Sequence, residues 1–240
     1  MKKNNFLITA LFSILLFSGC NSNNDSIRVC ADFIATVVSD AEGAYLVELD
    51  GGEKFYSSET LNRAGKKFEL GDRLYFRYFE INYDEQPDGA VGSMSHPYQI
   101  TSLAYEKMDV YAPVEPNDEV NNLADDELRY FYAPYLEQTT ILRNYLNFTF
   151  LVPMDSDPKV NLIYNGMKGD TLFYDFKATY KDDSNASMEN GYIETFELKN
   201  LPEKGHIHIT FHAKSYDKRI KGFISGSAFV LPFELEKPRP

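Results

Sequence analysis

Apolar and polar residues alternate along much of this chain with a period of two, the repeat of a strand half buried against a core. The pattern is plainest at 206–215. There His206, His208, Thr210 and His212 share one face, and Ile207, Ile209 and Phe211 share the other. Comparable runs predict strands over 28–39, 44–49, 54–57, 73–83 and 98–110, then over 141–152, 160–164, 171–180, 192–198, 206–215 and 222–233. Turn signals separate them: Asp40-Ala41-Glu42-Gly43, the hairpin signal Asp50-Gly51-Gly52, and Gly71-Asp72. Residues 58–67 have room for one or two helical turns, and 84–97, with Pro and Gly, reads as a long loop. No long stretch carries helical periodicity, and no internal repeat is evident.

The expected fold class is therefore all-β. Five strands, with a short helix between the third and fourth, is the element order of a small OB-type barrel, here over 27–111. Residues 112–127, with Pro113, Pro116 and the acids Glu115, Asp118, Glu119, Asp125 and Asp126, read as a connection. The strands that follow, over 128–235, suggest an antiparallel β-sandwich, and 236–240 reads as a disordered tail. Composition strengthens the β reading: 18 Phe and 17 Tyr, with no Trp, favour pleated surfaces that their rings cover well.

The N-terminus changes the picture from fold to address. Lys2 and Lys3 precede an apolar run over 6–17. As a helix, that run would span about 18 Å, short of a hydrocarbon core of roughly 30 Å. Residues 1–19 are thus a signal peptide rather than a span. They lead into Phe17-Ser18-Gly19-Cys20, which resembles the bacterial lipobox, and the resemblance implies that Cys20 is lipidated and becomes the first residue of the mature chain. Acyl chains would hold it to a membrane, each buried CH₂ contributing about 0.8 kcal/mol. Residues 20–26 form a polar tether. Asn21 stands where many inner-membrane lipoproteins carry an aspartate, which favours the outer membrane, facing either the periplasm or the outside. With Cys20 carrying lipid, Cys30 has no disulfide partner and reads as a small buried hydrophobe.

Charge removes one class of function. Taking Lys2 and Lys3 from 24 basic residues, and nothing from 36 acids, leaves 22 against 36 and a formal charge of −14. Nucleic-acid binding needs a basic stripe, and none is present.

Two short motifs, Gly71-Asp72-Arg73-Leu74-Tyr75-Phe76 and Tyr145-Leu146-Asn147-Phe148-Thr149-Phe150, are similar to those of the NigD-like lipoproteins of Bacteroidota. The resemblance covers essentially the whole mature chain. It implies an N-terminal OB domain, a C-terminal β-sandwich, attachment to the cell envelope and a link to bacteriocin production or immunity. It transfers no catalytic residue and implies no cofactor.

The search for chemistry finds no His-Glu-x-x-His, Cys-x-x-Cys, Walker loop or Gly-x-Ser-x-Gly elbow. Ser225-Gly226-Ser227 lies inside an apolar run and reads as a glycine bulge. Asp183, Asn185, Ser187 and Glu194 match calcium-loop spacing, but Met188 stands where the sharp turn needs Gly, so a polar hairpin loop is expected. Asp25-Ser26-Ile27 and Asp170-Thr171-Leu172 resemble the O-glycosylation signal of Bacteroidota, with Ser26 and Thr171 as acceptors.

The histidines offer the remaining candidate. His206 and His208 lie about 7 Å apart along a strand and can converge on one ion, whereas His212 is about 13 Å beyond His208. If 192–198 pairs with the histidine strand as a hairpin, and matched apolar faces set the register, Glu197 falls opposite His208 and Lys199 opposite His206. That is a two-His, one-carboxylate set with a repelling lysine beside it. A solvated face with a Glu–His pair is the plainer reading.

Three functions remain in view. The first is a non-enzymatic envelope lipoprotein acting by binding a protein or glycan partner. The second is a glycan-binding accessory protein of a polysaccharide-uptake system. The third is a metal-dependent hydrolase using the His206–His208 face.

Overall fold

The computed structural model describes residues 27–40, 45–51, 54–63, 68–154, 156–180, 189–217 and 222–236. They divide into two compact units. One holds the described residues through Val110 together with Glu137–Asn144; the other holds Tyr111–Leu136 and the described residues from Tyr145 onward.

The first unit is built from β1 (Ile27–Ser39), β2 (Leu46–Leu49), β3 (Phe55–Ser58), helix α1 (Glu59–Arg63), β4 (Arg73–Asn82) and β5 (Tyr98–Lys107), with a 3₁₀ turn at Tyr83–Glu85. The strands close into a barrel in the order β1-β2-β3-β5-β4. A parallel β3–β5 pair, with Tyr56 beside Tyr98, completes the ring. This five-stranded closed arrangement is that of an OB-type barrel. Closure gives each strand two neighbours, with β1 paired to β4 over Ile27–Thr36 and to β2 over Ala35–Ser39. Val37, Val47, Leu61, Leu74, Phe76 and Phe79 fill the interior. Arg73, Leu74, Tyr75 and Phe76 are buried in succession, so β4 is covered on both faces at its start.

The remaining elements are β6 (Val110–Tyr111), helix α2 (Asp118–Asn121), β7 (Tyr130–Phe131), β8 (Tyr135–Gln138), β9 (Asn144–Pro153), β10 (Lys159–Lys168), β11 (Thr171–Thr179), β12 (Glu189–Leu198), β13 (Lys204–Asp217) and β14 (Gly222–Glu234), which make up the second unit except for Val110, Glu137, Gln138 and Asn144. One sheet runs β10-β11-β13-β14; the other runs β6-β12-β9-β7, with β8 also on β9. Their inner faces share one core. Phe148, Phe150 and Phe196 enter it from one sheet, and Leu162, Phe176, Ile207 and Ile209 from the other. The rings of Phe131 and Phe211 stack at 4.1 Å, and Phe229 stacks on Phe211 at 5.4 Å.

The sandwich is not wholly antiparallel. β11 and β13 run parallel, with Thr171 beside His206 and Phe176 beside Phe211. Between them the chain visits the other sheet as β12. Two reversals restore the original direction, so the strand that returns beside β11 must run parallel to it.

The acidic stretch 112–127 is fastened to this unit. Val114 bridges Ile163, the Asn117 side chain caps α2, and the Asp126 carboxylate accepts the Tyr180 backbone N–H at 2.8 Å. Among the described residues, no helix is long and apolar enough to cross a membrane.

Candidate functional site

The histidine strand has the expected alternation. Ile207, Ile209 and Phe211 are buried, while His206, His208, Thr210 and His212 are partly exposed on the opposite face. Its neighbours differ from expectation. β13 lies between β11 and β14, and β12 belongs to the other sheet, so Glu197 does not stand opposite His208. Matching apolar faces could not detect this. Phe196 and Leu198 meet the same core as Ile207 and Ile209, but from the opposite side. Glu197 instead sits 3.9 Å from Lys199.

Each histidine has its own surroundings. His206 Nδ1 lies 3.5 Å from the Asp170 carboxylate, and the His208 ring packs 5.3 Å from Phe173. His212 contacts the Asp125 carbonyl and, at 3.8 Å, Glu127. Among the described residues, no group of three or more His, Cys, Asp or Glu gathers to hold a metal ion. The strand therefore presents a dispersed polar face.

Thr171 opens β11, and its hydroxyl donates to the Asp170 carboxylate. Cys20, Ser26 and the calcium-like positions Asp183, Asn185 and Ser187 lie outside the described residues. At Gly226 the β13–β14 register shifts, between the pairs Phe211–Ser227 and Lys214–Ser225, and the extra residue is on β13.

A polar site that the alternation pattern did not single out lies in the barrel unit. Arg73, at the start of β4, is fully buried and grips Asp50 with both terminal nitrogens, at 2.5 and 2.6 Å. It also donates to the Thr36 hydroxyl of β1 at 2.6 Å. Two further carboxylates share this region. Glu48 of β2, 2% exposed, accepts from the Thr140 N–H and hydroxyl at 3.0 and 2.9 Å through one oxygen. Its other oxygen, Oε1, is buried without a hydrogen-bond partner. Glu137 of β8, 8% exposed, accepts from the Gly51 N–H at 2.9 Å.

Three carboxylates thus surround one guanidinium out of water. Burial is the main force raising both glutamates. It pushes Glu137 up to about 7, with the Asp50 and Glu48 charges adding to the rise and the Gly51 N–H and Arg73 opposing it. The chemical capacity of the arrangement is to hold a proton near neutrality. The sequence signals were a glutamate inside the short apolar strand 44–49 and an arginine opening the strand at 73. Neither announced its partners, 92 residues away for Glu48 and Thr140, and 37 and 23 for Arg73 with Thr36 and Asp50.

The motif Gly71-Asp72-Arg73 acquires a structural meaning here. Gly71 has φ +91°, and a Cβ at that position would overlap the Arg143 guanidinium. Asp72 accepts from Lys107 Nζ at 2.7 Å and from the Glu69 N–H at 2.8 Å. Gly71→Ala combines a disfavoured backbone with a displaced guanidinium and is expected to cost about 1–3 kcal/mol. Urea unfolding reads this; a loss below about 0.5 kcal/mol would mean that the position tolerates a side chain.

No family model matches the chain. None of the curated proteins matches it either. Among solved structures, a candidate lipoprotein from Bacteroides fragilis superposes with a TM-score of 0.58 at 11% identity, covering 88% of this chain and 100% of that one. A protein of unknown function from Bacteroides vulgatus gives a TM-score of 0.57 at 14% identity, covering 87% and 92%. A NigD-like immunity protein from Bacteroides caccae gives 0.48 at 15% identity, covering 85% and 96%. The chain therefore has the all-β, barrel-and-sandwich fold that solved Bacteroides proteins share along nearly their whole length, the architecture that its two short motifs implied.

Proposed function

We propose that this chain is a non-enzymatic lipoprotein of the cell envelope, of the NigD-like type, that binds a protein or glycan partner in an accessory or immunity-like role. The observation that carries the reading is the lipobox Phe17-Ser18-Gly19-Cys20, set ahead of a two-unit β fold that a candidate lipoprotein of Bacteroides fragilis shares. Lipid on Cys20 anchors it to the outer membrane. The hydrolase reading loses its carboxylate, because Glu197 belongs to the sheet opposite His206 and His208.

Growth with an alkyne palmitate analogue tests the anchor. The wild type is expected to take up label and to sediment with membranes, and Cys20→Ala to lose both. Label and membrane retention unchanged in Cys20→Ala would sink the reading. Glycan at Ser26 and Thr171 is part of the same proposal, and intact-mass measurement of Ser26→Ala and Thr171→Ala variants reports it.

The glycan-binding alternative has one supporting observation. Tyr83, 38% exposed, stands edge-on to Tyr98 at 5.7 Å. A glycan array with no binding to folded protein removes it.

A further inference from the structure

The barrel unit includes residues from far along the chain: the tip of the β8–β9 hairpin, Glu137–Asn144. Two carboxylates hold the tip. Glu137 receives the Gly51 N–H, and Glu48 receives the Thr140 N–H and hydroxyl. Within the tip, the Thr139 carbonyl accepts the Leu142 N–H, and Leu142 sits at φ 61° with its side chain half exposed. A leucine in the left-handed region costs about 1–2 kcal/mol and persists where surrounding contacts hold it.

The charges acting on the two glutamates do not balance, and the tip's own cation, Arg143, lies against Gly71. Glu48 comes from β2, Asp50 from the turn after β2, and Glu137 from β8. Arg73 of β4 is the cation that acts on both glutamates. Its two terminal nitrogens are engaged by Asp50 and Thr36. The buried, unpaired Glu48 Oε1 is where a proton would relieve an uncompensated acceptor.

We propose that the tip Glu137–Asn144 is a proton-operated clasp on the barrel. A proton held by the Glu48–Glu137 pair keeps the tip seated, and its loss loosens the tip. The direction follows from linkage. A carboxyl with a raised folded-state pKa stabilises the seated state fully below its ordinary value, and that contribution is lost as pH rises through the raised one. The window runs from the ordinary glutamate value of 4.5 to about 7.

Residue-resolved hydrogen exchange on the full chain in detergent tests this at about pH 5.5 and about pH 8, with each rate divided by the intrinsic rate at that pH. For one linked proton, seating should weaken about thirtyfold between these two conditions. The Gly51 and Thr140 amides are expected to lose protection by roughly that factor, while β13 amides hold theirs. Glu137→Gln, which keeps an acceptor for the Gly51 N–H, is expected to stay protected at the higher pH and to flatten the dependence. The carbon-13 shift of the wild-type Glu137 carboxyl should titrate near 7. Equal protection at both pH values, a Glu137 midpoint near 4.5, or wild-type pH dependence in Glu137→Gln each overturns the proposal.

Discussion

Arg73→Ala is expected to destabilise the barrel unit by about 3–5 kcal/mol, the cost of breaking a buried ion pair from one side. Arg73 is fully buried, so water cannot replace it at Asp50, where it makes two short hydrogen bonds. Glu48 and Glu137 lose their countercharge at the same time. The loss should shrink on acidification, because the remaining carboxyls can then be neutral. Urea unfolding, read by hydrogen exchange over β1–β5, measures both effects. Pairing Arg73→Met with Asp50→Leu provides the control, since replacing both partners of a buried pair by apolar groups is often neutral. A single-variant loss under about 1 kcal/mol would place the guanidinium in contact with solvent.

The second large effect is expected at Phe148. Phe148→Ala should cost about 3–5 kcal/mol, the usual range for emptying an aromatic site in a packed core. The ring is fully buried, 4.7 Å from Phe176, 5.6 Å from Phe196 and 5.7 Å from Phe131. Phe196 lies in its own sheet and Phe176 in the facing one, so the cavity would open where the two sheets meet. Val230→Ala is the comparison. That side chain on β14 is 58% exposed, and its loss should stay within about 0.5 kcal/mol. If hydrogen exchange over β9, β11 and β13 reports equal losses for the two variants, the core described here is not what holds the sheets together.

The histidine strand shows how far alternation reaches. A period of two assigns each residue of β13 to a face, and the structure has those faces as expected, because burying Ile207, Ile209 and Phe211 requires the other register to point outward. Alternation says nothing about which strand lies alongside. Two sheets that share a core present equivalent apolar faces, so β12 fits either sheet by pattern, and pattern alone sets Glu197 opposite His208. The carboxylate–arginine cluster was still less legible. Charged residues in short strands look solvated until another segment covers them, and the cover for Glu48 and Arg73 arrives with Glu137 and Thr140.

By itself, the sequence determined the strand content, the inward and outward faces of the histidine strand and the barrel's element order. These rest on local periodicity, turn chemistry and spacing, which need no knowledge of distant residues. Only the tertiary structure decided the rest. It carries β12 to the sheet facing the histidine strand, sets β13 parallel to β11, and encloses three carboxylates and one guanidinium with the tip of a distant hairpin. The physical reason is common to all three: burial belongs to a whole packing arrangement, and both strand partnership and proton affinity follow from what is buried against what.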